Sequence, residues 1–235
     1  MWYAADGVYS MFGDRLDVAG LATLMARYPA LHAYLDDAHG MSWAGRRGAG
    51  TLFDADLPVD RTIIATSLAK GFGATGGVLV VPDRATKERI ENLGPSLMFS
   101  IQLPPAVLGA VVASARLHLT DELAAMQAEL AAVVDHARAR FEDDAALGPR
   151  LPVVAGAPTP VLYVTLGAAD TVIAAAAELV AAGYLVNPVA FPAVPMDAGG
   201  LRITLTRAHR RADVDRLAVA IVDAIAATTP ARKAG

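Results

Sequence analysis

The sequence contains no cysteine, which removes disulfide staples and thiolate metal sites from the possible architectures. It also lacks any uninterrupted apolar run near the ~20 residues that a bilayer span requires. The greasiest helix candidate, Thr171 to Ala182, is interrupted by Glu178. The N-terminus carries acidic Asp6 and Asp14 and has none of the basic-then-apolar order of a secretory signal. An excess of positive charge is missing too. The formal net charge is −4 and the pI about 5.7, which argues against a general nucleic-acid binder. What the chain does have is alanine-rich apolar composition, with a mean hydropathy of +0.40, and alanine packs helices without needing a membrane. At 235 residues it can form one large domain or two modest ones. The expectation is a soluble, cytoplasmic, globular protein.

The first part alternates short apolar runs with helical patterns. Leu31–Asp36, Thr62–Thr66 and Val78–Val81 read as strands, the last closed by the turn signal Pro82-Asp83. Val18 to Arg27 and Ala85 to Asn92 read as helices, with Asp17 as N-cap of the first. Pro104-Pro105 opens a long helical stretch that runs to the Gly148-Pro149 break, with Thr120 a candidate N-cap for its second half. Beyond it the pattern predicts strand Val161–Leu166, helix Thr171–Ala182, strand Tyr184–Val186, strand Leu201–Thr206 and helix Ala212–Ala227. The expected organisation is part of a large α/β domain over 1–103, a connecting helical region over 104–148, a small α+β domain over 149–228 and a tail over 229–235. A strand-end loop comes within a handful of residues of Met1. So few strands in a parallel sheet would leave apolar faces uncovered. The sheet is therefore expected to be completed by another chain or by an N-terminal part absent here.

Two short stretches carry chemistry. In "TSLAKGFGATGG" (residues 66–77), Gly71, Gly73 and Gly76 match G-x-G-x-x-G, the spacing of a dinucleotide-binding turn. That turn needs a helix after it to meet the pyrophosphate. Here a strand, "GVLVV", follows instead. The glycines are better read as allowing close backbone approach, or positive φ, beside Lys70. The second stretch, "LDDAHG" (residues 35–40), places the Asp36 carboxylate at the end of a strand, where open α/β folds hold ligands. A carboxylate there and a lysine further on suggest pyridoxal phosphate, which needs a lysine for its Schiff base and an acid to keep the pyridine nitrogen protonated.

Five stretches in order, "DGVYSMFGD", "LDDAHGMSWAGRRGAG", "TSLAKGFGATGG", "FPAVP" and "LRITLTRAH", resemble the α-oxoamine synthases. This group of fold-type-I pyridoxal-phosphate enzymes includes 8-amino-7-oxononanoate synthase, glycine C-acetyltransferase, 5-aminolevulinate synthase and serine palmitoyltransferase. The resemblance covers nearly the whole chain but not the N-terminal part of the family. It implies an α/β, fold-type-I transferase with a partial large domain and a small C-terminal α+β domain. By position, Lys70 would form the Schiff base and move the substrate α-proton. Asp36 would bind the pyridine nitrogen and His39 the phenolic oxygen, near which Ser10 sits. Ser67 would bind the cofactor phosphate, Ser100 the phosphate held by a dimer mate, and Arg202 the carboxylate of the amino-acid substrate.

Blander readings stand beside these. Ser10 and Ser100 could simply cap loops, Arg202 could be an edge-strand salt-bridge partner, and Asp37 reads as a structural or turn residue. His32, His118 and His136 read as surface or helix residues. Arg207, Arg210 and Arg211 read as a solvated helix start, with a grip on coenzyme A phosphates as the alternative. The histidine three residues after Asp36 fits the acyltransferase branch better than the aminotransferases. The resemblance thus implies a C-acyltransferase joining an amino acid to an acyl-CoA as a cytoplasmic homodimer, with no nucleic acid, metal or membrane span. The alternatives are an aminotransferase or lyase on the same scaffold, or a non-catalytic, dimer-forming relative.

Overall fold

The computed structural model describes residues 1–98, 100 and 102–228; the expected tail, 229–235, and the residues flanking Ser100 lie outside the described residues. The chain divides into two compact units. The first contains Met1–Tyr9 and Arg15–Gln127, the second Ser10–Asp14 and Ala128–Gly235.

In the first unit β1 (Trp2–Asp6), β2 (His32–Asp36) and β3 (Thr62–Ser67) are parallel. β4 (Gly77–Val80) returns antiparallel to β3, so the sheet order is β1-β2-β3-β4. Helix α1 (Val18–Arg27) makes the crossover from β1 to β2. It begins as read: Asp17 accepts the Gly20 N–H at 2.9 Å and so satisfies an orphan donor of the first turn. One face of β2, Ala33 and Leu35, is buried with Leu21 and Met25 of α1 and with Leu31, Leu52 and Leu57. Strand alternation puts His32, Tyr34 and Asp36 on the other face, where Tyr34 is exposed. Asp36 therefore leaves the apolar core at the carboxyl end of its strand. Helices α2 (Arg84–Leu93) and α3 (Pro105–His118) follow β4.

In the second unit β5 (Val161–Gly167), β6 (Asn187–Val189) and β7 (Gly199–Thr204) form an antiparallel sheet of order β5-β7-β6. It packs with α5 (Ala169–Ala181), α6 (Arg211–Thr228) and the later turns of α4 (Glu122–Glu142) around Phe141, Leu179, Leu201 and Ile221. The division between the units falls inside α4, at Gln127.

Three sequence expectations are corrected. β1 was not expected, because Trp2, Tyr3 and Ala4 are all exposed and show no alternation. Tyr184–Val186 is not a strand; its backbone closes α5 instead. Gly183, at φ +86°, donates to Val180 O and Tyr184 donates to Leu179 O, the paired bonds of a Schellman motif. Thr120 marks the break between α3 and α4 but caps neither start, since its hydroxyl donates to Leu117 O and closes α3.

Candidate active site at the strand ends

Adjacent parallel strands bring the acid and the lysine of the first unit to one edge. In register, Asp6 of β1 pairs with Asp36 of β2, and Asp36 with Ala65 of β3. β3 ends at Ser67, three residues before Lys70. The electrostatics confirm the convergence. Burial pushes the Asp6 carboxyl above the usual carboxylate range, the Asp36 charge pushes it further, and Lys70 pulls it back. Asp6 therefore lies within the field of both Asp36 and Lys70.

The two neighbouring aspartates do different work. Asp36 Oδ1 accepts the Ala38 N–H at 2.8 Å, which fixes its carboxylate. Asp37 is only 2% exposed and is consumed by the fold. It accepts the Thr51 N–H at 2.5 Å, the Thr51 hydroxyl at 2.7 Å and the Leu52 N–H at 3.1 Å. A Cβ at Gly40 or Gly50 would lie 2.1 Å from its oxygens, so the glycines around "DDAHG" exist to let the backbone close on this carboxylate. Burial raises the Asp37 pKa despite these bonds. His39 is half-buried in the turn that follows, and its carbonyl accepts the Trp43 indole N–H at 2.5 Å.

The lysine loop is a tight, glycine-shaped turn. Gly73 donates to Lys70 O at 3.0 Å and Ala74 to Leu68 O at 2.8 Å. Gly73 takes φ +75° and Gly76 φ +115°, conformations that glycine adopts without strain. Lys70 is exposed and has no carboxylate within 4.0 Å among the described residues. Ser67 Oγ accepts the Ala69 N–H at 3.1 Å, leaving its own proton available. Ser100 differs, because its hydroxyl donates to Leu97 O at 2.9 Å and no described hydrogen bond joins it to Lys70 or Asp36.

The remaining two candidates lie together in the second unit. Arg202 Nε donates to Ser10 O at 2.6 Å, and its Nη1 donates to Thr204 Oγ1 at 2.9 Å. β7 is the central strand, so Arg202 is not on an edge. Leu201, Ile203 and Leu205 are buried on one face and Arg202 projects from the other, into a cavity of about 480 Å³ lined by Met11, Asn187 and Val189. Burial lowers its pKa, and no carboxylate offsets that.

Sequence reasoning missed Asp6, which becomes visible only once β1 pairs with β2. His118, read as a surface or helix residue, is the last residue of α3 and is 7% exposed. The helix-start reading of Arg207 and Arg210 is met by ion pairs, Arg207 to Glu129 at 2.6 Å and Arg210 to Asp213 at 3.0 Å.

The chain belongs to the aminotransferase class I and II family, whose pattern matches residues 2–221. It is 37% identical over 220 residues to the 8-amino-7-oxononanoate synthase of Gluconacetobacter diazotrophicus, covering 93% of this chain and 52% of that protein. Among solved structures it is similar to the serine palmitoyltransferase of Sphingomonas wittichii, with a TM-score of 0.81 at 22% identity over 97% of this chain and 55% of the other. It is likewise similar to the S. paucimobilis serine palmitoyltransferase with a bound PLP–myriocin aldimine (TM-score 0.83, 20% identity, 97% and 55% covered). These likenesses show the fold, that of a fold-type-I pyridoxal-phosphate-dependent transferase. The chain spans about half the length of the curated relatives it matches. Among the described residues no helix is long and apolar enough to cross a membrane, and no cluster of acidic or histidine side chains could hold a metal ion.

Proposed function

We propose that the chain provides the lysine and the ring-binding acid of a pyridoxal-phosphate-dependent C-acyltransferase, which condenses an amino acid with an acyl-CoA. The observation that carries this reading is the placement of Asp36 at the end of β2 and of Lys70 just past the end of the adjacent parallel strand β3, with Asp6 of β1 feeling both charges. The donor set fits the cofactor: an exposed amine with no ion-pair partner among the described residues and a carboxylate pinned by one backbone N–H. When bound, pyridoxal phosphate supplies an aldehyde that captures amines and a ring that takes up the electron pair left on breaking a bond at Cα.

The chain's own residues act around that group. Asp36 would hold the ring N–H by its negative charge. His39 would face the phenolic oxygen, and Ser67 would offer its hydroxyl proton to the phosphate. Lys70 would hold the cofactor through its amine, and the same nitrogen would serve as the base for the Cα proton of the amino acid. Arg202, half-buried and unopposed by a carboxylate, clamps the substrate carboxylate through its guanidinium fork. The names of the curated relatives support acyl transfer over transamination on this scaffold, and a homodimer supplying Ser100 to the mate's phosphate follows from the same family reading. The described Ser100 hydroxyl must first leave Leu97 O to do so.

Purified protein is incubated with pyridoxal phosphate, then with amino acids and acyl-CoA thioesters, and free coenzyme A is measured. Release that needs both substrates supports the reading. Keto-acid formation without coenzyme A release would instead identify an aminotransferase, and no cofactor capture a non-catalytic relative.

A further inference from the structure

Behind the Lys70 loop lies a buried polar cluster with no part in the chemistry described above. His118, the last residue of α3, has its Nδ1 2.8 Å from Ser114 O. A carbonyl can only accept, so Nδ1 carries the proton and Nε2 is left as an acceptor. Nε2 then accepts a hydrogen bond from the Ser42 hydroxyl across 2.9 Å. The imidazole also lies against the Phe72 ring, centroids 4.7 Å apart. One turn back on the helix, the Ser114 hydroxyl donates to Phe72 O at 2.6 Å. Phe72, two residues past Lys70, is thus gripped at its ring and at its carbonyl.

Ser42 is conformationally unusual. It takes φ +77° without being glycine, a conformation that persists in other residues only when its surroundings over-determine it. Here they do. Its N–H donates to Gly48 O at 2.8 Å, its carbonyl accepts from Gln127 at 2.9 Å, and its hydroxyl is bound by His118. Ser42 ends the turn that begins at Asp36 and His39. The same turn touches the lysine loop directly, for a Cβ on Gly71 would lie 2.7 Å from Met41 O and 3.2 Å from Ser42 Cβ.

We propose that His118 is a positioning residue, which with Ser42 and Ser114 latches the Lys70 loop to the Asp36–His39 turn and so fixes the amine relative to the acid. This rests on the reading of Lys70 as the cofactor lysine. The strained serine is explained by the proposal: a glycine at position 42 would remove the strain but lose the hydroxyl that engages the imidazole.

Two variants test it. Ser42→Gly suits the positive φ and deletes the hydroxyl together with its Cβ, and His118→Phe keeps a ring on Phe72 while losing both polar bonds. Hydrogen exchange on the cofactor-free chain reads the latch independently of any cofactor chemistry. Exchange at Gly73 and Ala74 should rise roughly three- to tenfold in each variant, the loss of about one net hydrogen bond, with exchange in β5 and β7 unchanged. Thermal stability of Ser42→Gly should equal or exceed the parent's. With pyridoxal phosphate added, borohydride-trapped label on Lys70 should accumulate more slowly by a similar factor, and the absorbance band near ~420 nm typical of the lysine-bound cofactor should weaken. Labelling of Lys87 should not change. Parent-like loop exchange in Ser42→Gly would overturn the latch even if His118→Phe failed to fold, as would faster exchange with unaltered trapping at Lys70. Parent protein that carries no label on Lys70 would instead refute the lysine reading, while the exchange data would still decide the latch.

Discussion

The two units are held together in different ways. The second buries a large cluster that includes Phe141, Leu147, Leu179, Leu201 and Ile221, all at or below 1% exposure, and a smaller one around Tyr163. The first has a smaller cluster around Met25, Leu35 and Leu52, and its sheet ends in strands that leave Trp2, Tyr3, Val78, Leu79 and Val80 exposed. Yet the first unit carries the lysine and the acid. Its site is fixed less by apolar packing than by polar anchors, with Asp37 on Thr51 and Leu52 and His118 on Ser42. The second unit presents Arg202 from its central strand, opposite a buried apolar face. Apolar burial resists deformation without regard to direction, whereas a hydrogen bond specifies an angle. The strand-end turns of the first unit are held by the latter.

The comparison can be broken first at the core of the second unit. Phe141→Ala should cost about 3–5 kcal/mol, read as a lower urea midpoint. Replacing exposed Leu79 with serine should change stability by less than about 0.5 kcal/mol while reducing self-association in sedimentation. If the two substitutions cost the same, the contrast in packing fails.

Next in size come the paired aspartates. Asp37→Ala orphans three buried donors and should cost about 3 kcal/mol or more. Asp37→Asn should cost less than about 1 kcal/mol, since an amide oxygen can take both backbone N–H groups while its NH₂ faces the Thr51 hydroxyl. Asp36→Asn should leave the urea midpoint within about 0.5 kcal/mol of the parent but sharply reduce acyl transfer. Equal effects of the two asparagine variants on turnover would mean that the acid has been misassigned.

A smaller effect is expected at Arg202. Arg202→Lys keeps the charge and loses the fork, so amino-acid capture should weaken about tenfold, or ~1.4 kcal/mol, while cofactor capture is unchanged. Titrating the absorbance of the cofactor-loaded protein with amino acid measures both.

The smallest effect lies at the start of α6. Hydrogen bonding to Arg210 holds the Asp213 carboxyl down at about 2. A depressed carboxylate contributes stability above its unfolded value, near 3.8, and loses it as pH falls through that value toward about 2. The ion pairs Arg210–Asp213 and Arg216–Asp213 are largely exposed, so the loss is slight. Asp213→Asn should flatten the acid limb of the stability curve by a small margin in urea titrations between pH 5 and 2. A limb unchanged by the substitution would show that the pair contributes nothing.

Much of this was legible in the sequence where the signal is local. α1 and its Asp17 cap, β2 and β3 followed from apolar pattern and turn chemistry, as did the placement of Asp36 at a strand end and of Lys70 in a glycine-rich turn. What escaped depends on pairing across distance. β1 shows no alternation because both its faces are open from Trp2 to Ala4, and Asp6 joins the site only through register with Asp36. The burial of His118 was not legible from its helix, because its partner Ser42 lies 76 positions away. Tyr184–Val186 has strand-like side chains, but its backbone is already committed to ending a helix. Arg202 was placed correctly on its strand by alternation, whereas its bond to Ser10 spans 192 positions.

The central claim is that Lys70 is the cofactor lysine, and covalent trapping tests it most directly. The protein is incubated with pyridoxal phosphate, reduced with borohydride, digested, and mapped by mass spectrometry. The account predicts one dominant pyridoxyl label, on the peptide containing Lys70, and its disappearance in Lys70→Ala. A dominant label on Lys87 or Lys233 would contradict it.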